Sequence, residues 1–434
     1  MILSQIIMGL TIVFMVSGKA PLYLTAFVGS IVAALVAGAG ISSGFFFGLF
    51  GETLLFDASG NPLFLHNLLS SGLHPVILDM LGVLLFIGIM ERYGFLNAVI
   101  VKVMHFGEKA GKGPGVATAG GIAAGIIGGM TGFTQPAITA VITGPPAIRM
   151  GVDRNKVAGI LAHAGHLGNF GGFTHPTMVA VIATTGISFG AINVIGIIVA
   201  LSIFIASYIR VSKQMKNVSI SEEDKISTLE TTSEISFGKA ICPFIVLIAL
   251  FIFGVPVVLS GVVAAIVVVL LTGGDFIEGE KAMMAGLRRI IVPLFATASF
   301  LFMSRVIAEI GLVDIFSNLL APILSFSPVI VMLLVSSITG FLTQSNAASI
   351  AIVIPFLQVV LAAGAHPLAA AVAAAGGPAI MQYYLTGGPV AALSTTVPVI
   401  EGSDLKMANK FQRPSIWVGM IVLTVISFVL SVTL

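Results

Sequence analysis

Apolar stretches long enough to cross about 30 Å of hydrocarbon recur near residues 2–17, 20–39, 75–90, 187–209, 240–255, 256–273, 289–304 and 414–433. In lipid, every backbone polar group must find its partner inside the chain, so only helices and closed barrels span a membrane. Barrel strands would alternate polar and apolar residues in segments of roughly ten, and these runs do not alternate. Only 9% of the 434 residues are charged, against about 25% in a soluble domain, and mean hydropathy is +1.11. The sequence therefore predicts an all-α, multi-pass integral membrane protein. Residues Met1–Ser17 lack a basic flank and a small-residue cleavage site, and read as a retained first helix rather than a signal peptide. The single cysteine, Cys242, excludes an intrachain disulfide and argues against a cysteine-based metal site.

Two regions, 114–186 and 328–400, are apolar but broken by Gly, Pro and Thr. A hydrophilic segment, 211–238, lies between two apolar halves of similar length and has the composition of a solvated linker. The halves share features in the same order. Thr131-Gly132-Phe133-Thr134-Gln135 parallels Thr339-Gly340-Phe341-Leu342-Thr343-Gln344, and the segment around Gly94 parallels that around Gly311. Gly171–Pro176 parallels Leu385–Pro389. With the linker in the cytoplasm, both termini fall outside, and Arg305 is the only one of the 20 basic residues left outside. The halves then enter the membrane from opposite faces. We expect two inverted-topology repeats, each of about five spanning segments (one interrupted) plus a re-entrant helical hairpin. Residues 1–210 form the N-terminal repeat, 211–238 a cytoplasmic linker and 239–434 the C-terminal inverted repeat. That layout is a hallmark of secondary transporters.

Non-helical backbone at membrane depth survives only where protein buries it or it lines a wet cavity. The breaks, at Thr131–Pro136, Asn169–Pro176, Thr343–Ala347 and Gln382–Pro389, are therefore expected to face one another near the midplane. Half-helix N-termini suit an anion, while freed carbonyls and side-chain oxygens suit a hard cation. The candidate substrate- and ion-binding residues are Thr131, Thr134, Gln135, Asn169, Thr174, His175, Thr343, Gln344, Ser345, Asn346, Gln382 and Thr386, with a sodium site near Asn169 and Asn346. No acidic residue falls in the hairpins or breaks. A cation–proton antiporter normally needs a buried carboxylate there, so that alternative loses ground. His163 and His166 share a helix face, but without a Cys or acidic partner they do not read as a metal pair. Tyr383 and Tyr384 suit either the pocket or packing. No P-loop or HExxH motif occurs, which argues against ATP drive and against a zinc-dependent intramembrane protease.

Gly132-Phe133-Thr134-Gln135-Pro136-Ala137-Ile138 with Gly144-Pro145-Pro146, and Thr343-Gln344-Ser345-Asn346-Ala347, resemble segments of the lactate and glycolate permease family. Gly168–Pro176 resembles the Pro-His-Pro stretches of gluconate permeases. Both families belong to the ion transporter superfamily. The resemblance implies a secondary carboxylate transporter of the inner cell membrane, a homodimer in the lipid bilayer with scaffold and transport domains, working as an elevator. It would carry a monocarboxylate or a hydroxy or sugar acid with a coupling proton or sodium ion. It implies no enzyme activity, no other cofactor and no nucleic-acid partner. A sodium–proton antiporter and a channel or non-transporting membrane component are the alternatives.

Overall fold

The computed structural model describes residues 1–17, 19–41, 55–57, 59–73, 75–132, 134, 136–215, 234–287, 291–385 and 392–434. Among them the regular elements are helices, with two isolated β-bridges joining Gly40 to Phe64 and Phe56 to Pro62. The first half contains α1 (Ile2–Ser17), α2 (Leu22–Val36), α3 (Leu65–Ser70), α4 (Val76–Arg92), α5 (Phe95–Thr131), α6 (Pro136–Arg149), α7 (Arg154–Ala162), α8 (Ala164–Gly171), α9 (Pro176–Thr185) and α10 (Ala191–Gln214). The second contains α11 (Phe237–Ile252), α12 (Val257–Thr272), α13 (Phe276–Leu287), α14 (Ile291–Glu309), α15 (Leu312–Leu324), α16 (Pro328–Thr343), α17 (Asn346–Ala362), α18 (Pro367–Met381), α19 (Ala392–Thr396) and α20 (Leu405–Thr433). Most of the hydrophilic segment, 216–233, lies outside the described residues.

Among the described residues, four helical stretches are long and apolar enough to cross a bilayer unaided: Leu65–Arg92, Phe95–Thr131, Ala191–Gln214 and Leu405–Thr433. Leu294–Glu309 and Leu312–Leu324, bent by 75°, add a fifth if taken as one span. The remaining apolar helices have 10–17 residues, a reach of about 15–25 Å, which suits half-spans and tilted hairpin arms. Apolar side chains such as Leu10, Val13, Ile205, Leu270, Ile421 and Phe428 stand exposed on α1, α10, α12 and α20, as a lipid-facing surface requires.

α5 consists of two helical arms joined at a sharp break. Gly111 and Lys112 leave helical angles, Lys112 with φ 49° and ψ −132°. A Cβ on Gly115 would stand 2.0 Å from the Gly107 carbonyl, so the two arms nearly touch at the bend. The arm before it carries Lys102 and Lys109, and the arm after it is largely buried and apolar. Glycines with positive φ, Gly94 (75°) and Gly311 (73°), make the turns from α4 into α5 and from α14 into α15.

α5 packs on α6 and α8, and α16 on α17 and α18. α9 joins the two groups by packing on α17 and α18. A second layer forms where α4 meets α12 and α13. The helices approach closely there, since a Cβ on Gly82 would fall 2.4 Å from the Val258 Cα and one on Gly261 2.4 Å from the Gly82 carbonyl. Small residues that let backbones meet are the usual basis of helix association in lipid. Asp79, in the first turn of α4, accepts the Val258 amide at 3.2 Å near the start of α12.

Candidate functional site

The breaks enclose a cavity of about 440 Å³ lined by Thr134, Asn169, His175, Ser345, Asn346, Gln382 and Tyr383, with Tyr23, Gly132, Ala137, Pro176, Ala347 and Thr395. Three helices begin at it. α6 starts at Pro136, α9 at Pro176 and α17 at Asn346. Proline at the first position suits a helix start, because its missing N–H would have had no partner there.

The start of α17 is the most fully determined part. Ser345 is its N-cap, the hydroxyl accepting from the Ala348 amide at 3.2 Å. The Asn346 amide donates to Gln382 Oε1 at 2.9 Å, and the Asn346 carbonyl accepts from Thr177 Oγ1 at 3.2 Å. The Asn346 N–H, which a helix start leaves without a partner, is thus satisfied by the residue after α18, while Thr177 of α9 adds a second bond to the Asn346 carbonyl. The Asn346 side chain adds a cross-half contact, Nδ2 to His175 Nδ1 at 3.4 Å. His175 Nδ1 also accepts from the Thr177 amide at 3.3 Å. That nitrogen is therefore the bare one, the ring proton sits on Nε2, and Asn346 must present its NH₂ to the ring. This leaves Asn346 Oδ1 buried without a hydrogen-bond partner, as is Thr134 Oγ1.

Asn169, near the end of α8, donates from Nδ2 to the Tyr383 hydroxyl at 2.9 Å. The Tyr383 carbonyl accepts in turn from Asn409 Nδ2 (3.2 Å) and Gln412 Nε2 (2.8 Å) of α20. Thr134 is fitted between two glycines. A Cβ on Gly128 or Gly168 would stand 2.3 Å or 2.0 Å from Thr134 Oγ1.

Of the residues singled out from sequence, Thr134, Asn169, His175, Ser345, Asn346 and Gln382 line the cavity. Four others do not line it; the hydroxyls of three bond backbone or tip, and Gln344 Oε1 is buried without a partner. Thr131 Oγ1 donates to the Ile127 carbonyl, and Thr174 Oγ1 to that of Gly129. Thr343 bonds within its own tip, to the Ser345 carbonyl and the Ser349 hydroxyl. Gln344 is the turn residue itself, in the left-handed region at φ 50°, a conformation that costs a non-glycine residue about 1 kcal/mol. Gln135 and Thr386 lie outside the described residues. Thr339-Gly340 lies one turn inside α16, where Thr339 bonds the Val335 carbonyl. Gly340 is needed there for close approach, a Cβ on it falling 2.5 Å from the Pro378 Cα. The second turn is made by Gln344, opposite Gly132 (φ 81°) in the first.

Tyr23 and Thr395 were not singled out. Tyr23 comes from α2, whose sequence reads as an ordinary span, and only its docking beside Phe300, with ring centroids 5.8 Å apart, brings it to the cavity. Among the described residues no cluster of three or more His, Cys, Asp or Glu could hold a metal ion, and no charged side chain lines this cavity.

No protein-family model and no curated protein sequence matches the chain. Its fold does match solved membrane proteins. It is similar to Neisseria gonorrhoeae MtrF, described as illuminating a class of antimetabolite efflux pumps, at 15% identity and a TM-score of 0.64, over 96% of each chain. It is also similar to the Alcanivorax borkumensis YdaH transporter, described as having an unusual topology, at 14% identity and a TM-score of 0.60, over 94% of this chain and 96% of that one. The chain thus has the all-helical membrane fold of these two proteins. Neither is a lactate or gluconate permease, so this likeness does not extend to the families suggested by the motifs.

Proposed function

We propose that the chain is a secondary active transporter of the inner cell membrane. It carries a small organic anion inward together with a coupling cation. The observation that supports this reading is the convergence of the α6, α9 and α17 N-termini on one uncharged cavity. Each helix start favours an anion by about 0.3–1 kcal/mol at exposed sites and more in buried ones. Together they compensate a carboxylate without a lysine or arginine. The volume of about 440 Å³ lies within the range of small-ligand pockets and suits a monocarboxylate or a hydroxy or sugar acid. Asn346 Oδ1 and Thr134 Oγ1, both bare, are hard oxygens of the kind a sodium ion takes, near Asn169 on the same wall. A proton is the other candidate for the coupling cation.

The elevator reading assigns movement to the two hairpins and broken helices, and a fixed, dimer-forming role to the layer of α4, α12 and α13. The sodium–proton antiporter reading is disfavoured because no carboxylate lines the cavity. A channel is disfavoured because hairpins entering from opposite faces suit alternating access. The likeness to MtrF favours a second reading, export of the same class of substrate through the same cavity. Uptake into proteoliposomes of lactate, glycolate, gluconate and succinate, under imposed sodium or proton gradients, tests both. Gradient-driven accumulation of one of them is expected. If none is moved in either direction, the carboxylate reading fails.

A further inference from the structure

Beside the cavity lies a buried polar chain that the binding reading does not use. His166 and His163, on α8 and at the end of α7, are 1% and 0% exposed. His166 Nδ1 donates to the Ala379 carbonyl at 3.2 Å, so its Nε2 is the lone-pair nitrogen of the neutral ring, and that atom is buried with no partner. His163 is joined through Nε2 to Ser207 Oγ at 2.7 Å, and its Nδ1 is likewise buried with no partner. The two rings lie 5.5 Å apart between centroids. His166 also stands edge-on to Tyr383, at 4.7 Å, the residue whose hydroxyl meets Asn169 in the cavity wall. Beyond His163, Ser207 Oγ bonds Ser415 Oγ at 2.7 Å, and Ser415 Oγ accepts from Arg210 Nη1 at 3.4 Å. Arg210 lies near the end of α10, where the charge distribution puts the cytoplasm.

We propose that His166 and His163 form a proton relay from the cavity to the inner ends of α10 and α20, so that the coupling cation of the transport reading, on which this proposal rests, is a proton. An excess proton enters on His166 Nε2 and passes to His163 Nδ1. His163 then releases its Nε2 proton to Ser207, whose own hydroxyl proton moves on to Ser415 and to water at the helix ends. One N–H or O–H bond breaks for each that forms, and reorientation of the hydroxyls and rings resets the chain. Each imidazole has one nitrogen engaged and one bare, and ring rotation must bring the two bare nitrogens together for the proton to pass between them.

The surroundings leave the pair isolated. α5 presents glycines, Gly121 beside Phe204 and Gly125 beside Leu167. α18 presents the Ala379 carbonyl, and α20 presents Ser415, with Phe411 stacked under Arg210. The charged or titratable groups facing the pair are Arg210 from α10 and Tyr383 after α18. Asp153, Arg154 and Lys156 at the start of α7 point elsewhere, Asp153 capping its own helix, Arg154 bonding the Glu401 carbonyl and Lys156 bonding Gln214.

The test reconstitutes wild type, His166→Gln, His163→Gln and the milder Ser207→Ala in proteoliposomes holding a pH-sensitive dye. The probe is whichever of lactate, glycolate, gluconate and succinate the wild type takes up fastest. Net uptake with internal acidification is compared with one-for-one exchange of labelled for unlabelled substrate, which needs no net proton movement. In each variant we expect acidification to fall at least about tenfold while exchange stays within about twofold of wild type. Acidification at the wild-type rate in the variants would overturn the relay. So would loss of exchange in all three, which would make the residues structural. Wild-type uptake that follows sodium and brings in no protons would overturn the relay but leave the transport reading standing. Absence of uptake for all four acids would remove both.

Discussion

Replacing Asn346 by Ala separates a ligand-binding role from a structural one, because the structure assigns the structural work at this tip to other atoms. The N-cap of α17 is Ser345, and the bonds to Gln382 and Thr177 use the Asn346 backbone. An alanine keeps all three. What it removes is the Nδ2 contact with His175 and the bare Oδ1. The protein should therefore insert and fold as before. The lost contact with ligand is worth about 1–3 kcal/mol, or roughly 5- to 150-fold in affinity. Initial uptake rates against both substrate and cation concentration reveal which ligand is involved. If Oδ1 binds the cation, raising the cation relieves the defect, and Asn346→Asp, which keeps an oxygen and adds charge, tightens cation binding. If the amide NH₂ leaves His175 to donate to the substrate carboxylate, raising substrate relieves it, and Asp is worse than Ala through like-charge repulsion. Wild-type kinetics in the Ala, Ser and Asp variants together would refute a binding role for Asn346.

The packing and topology give further tests. Gly168→Ala should push Thr134 from its slot and cut transport at least as much as Thr134→Ala, and the double variant should be no worse than Thr134→Ala alone, since removing Oγ1 removes the clash; additive losses in uptake would refute this. Gly82→Ala drives a methyl into the α12 backbone and should cost about 1–3 kcal/mol, seen as a lowered melting temperature in detergent. Gly238→Ala, with open space around it, is the neutral control, and equal melting of the two variants would contradict the close-packed α4–α12 contact. Ser221→Cys, with Cys242 replaced by Ser, should resist an impermeant maleimide in intact cells and react in inverted vesicles. Labelling from outside would overturn the cytoplasmic placement of the linker.

The breaks were legible because their residues cannot continue an apolar helix quietly. Thr131–Pro136, Asn169–Pro176 and Thr343–Ala347 interrupt long runs with Gly, Pro and amides, and α6, α9 and α17 start at or within them. The turns at Gly94 and Gly311 were legible for the same reason. The allocation of polar atoms was not. Thr134 and Thr131 sit in one motif, yet Thr131 bonds one turn back along its own helix while Thr134 is bare. Composition cannot separate the two, because the difference depends on whether a carbonyl of the preceding turn is in reach. Tyr23 was hidden for another reason. Its helix has no local irregularity, and only long-range docking of α2 brings its ring to the cavity.

Contacts around the cavity tie the two halves of the chain together. Asn346 of the second half meets Thr177 and His175 of the first, and Asn169 of the first meets Tyr383 of the second. A half folding by itself would leave the Thr177 hydroxyl and the Asn169 amide without these partners, at a cost of about 1–3 kcal/mol for each buried group. The cavity is therefore a product of docking the halves, and neither hairpin can complete it alone. A ligand that binds only the docked arrangement strengthens the interface by mass action. In the elevator reading the two hairpins and the broken helices move together, so these cross-half bonds travel with the cavity rather than break, and a ligand held by both halves is carried whole.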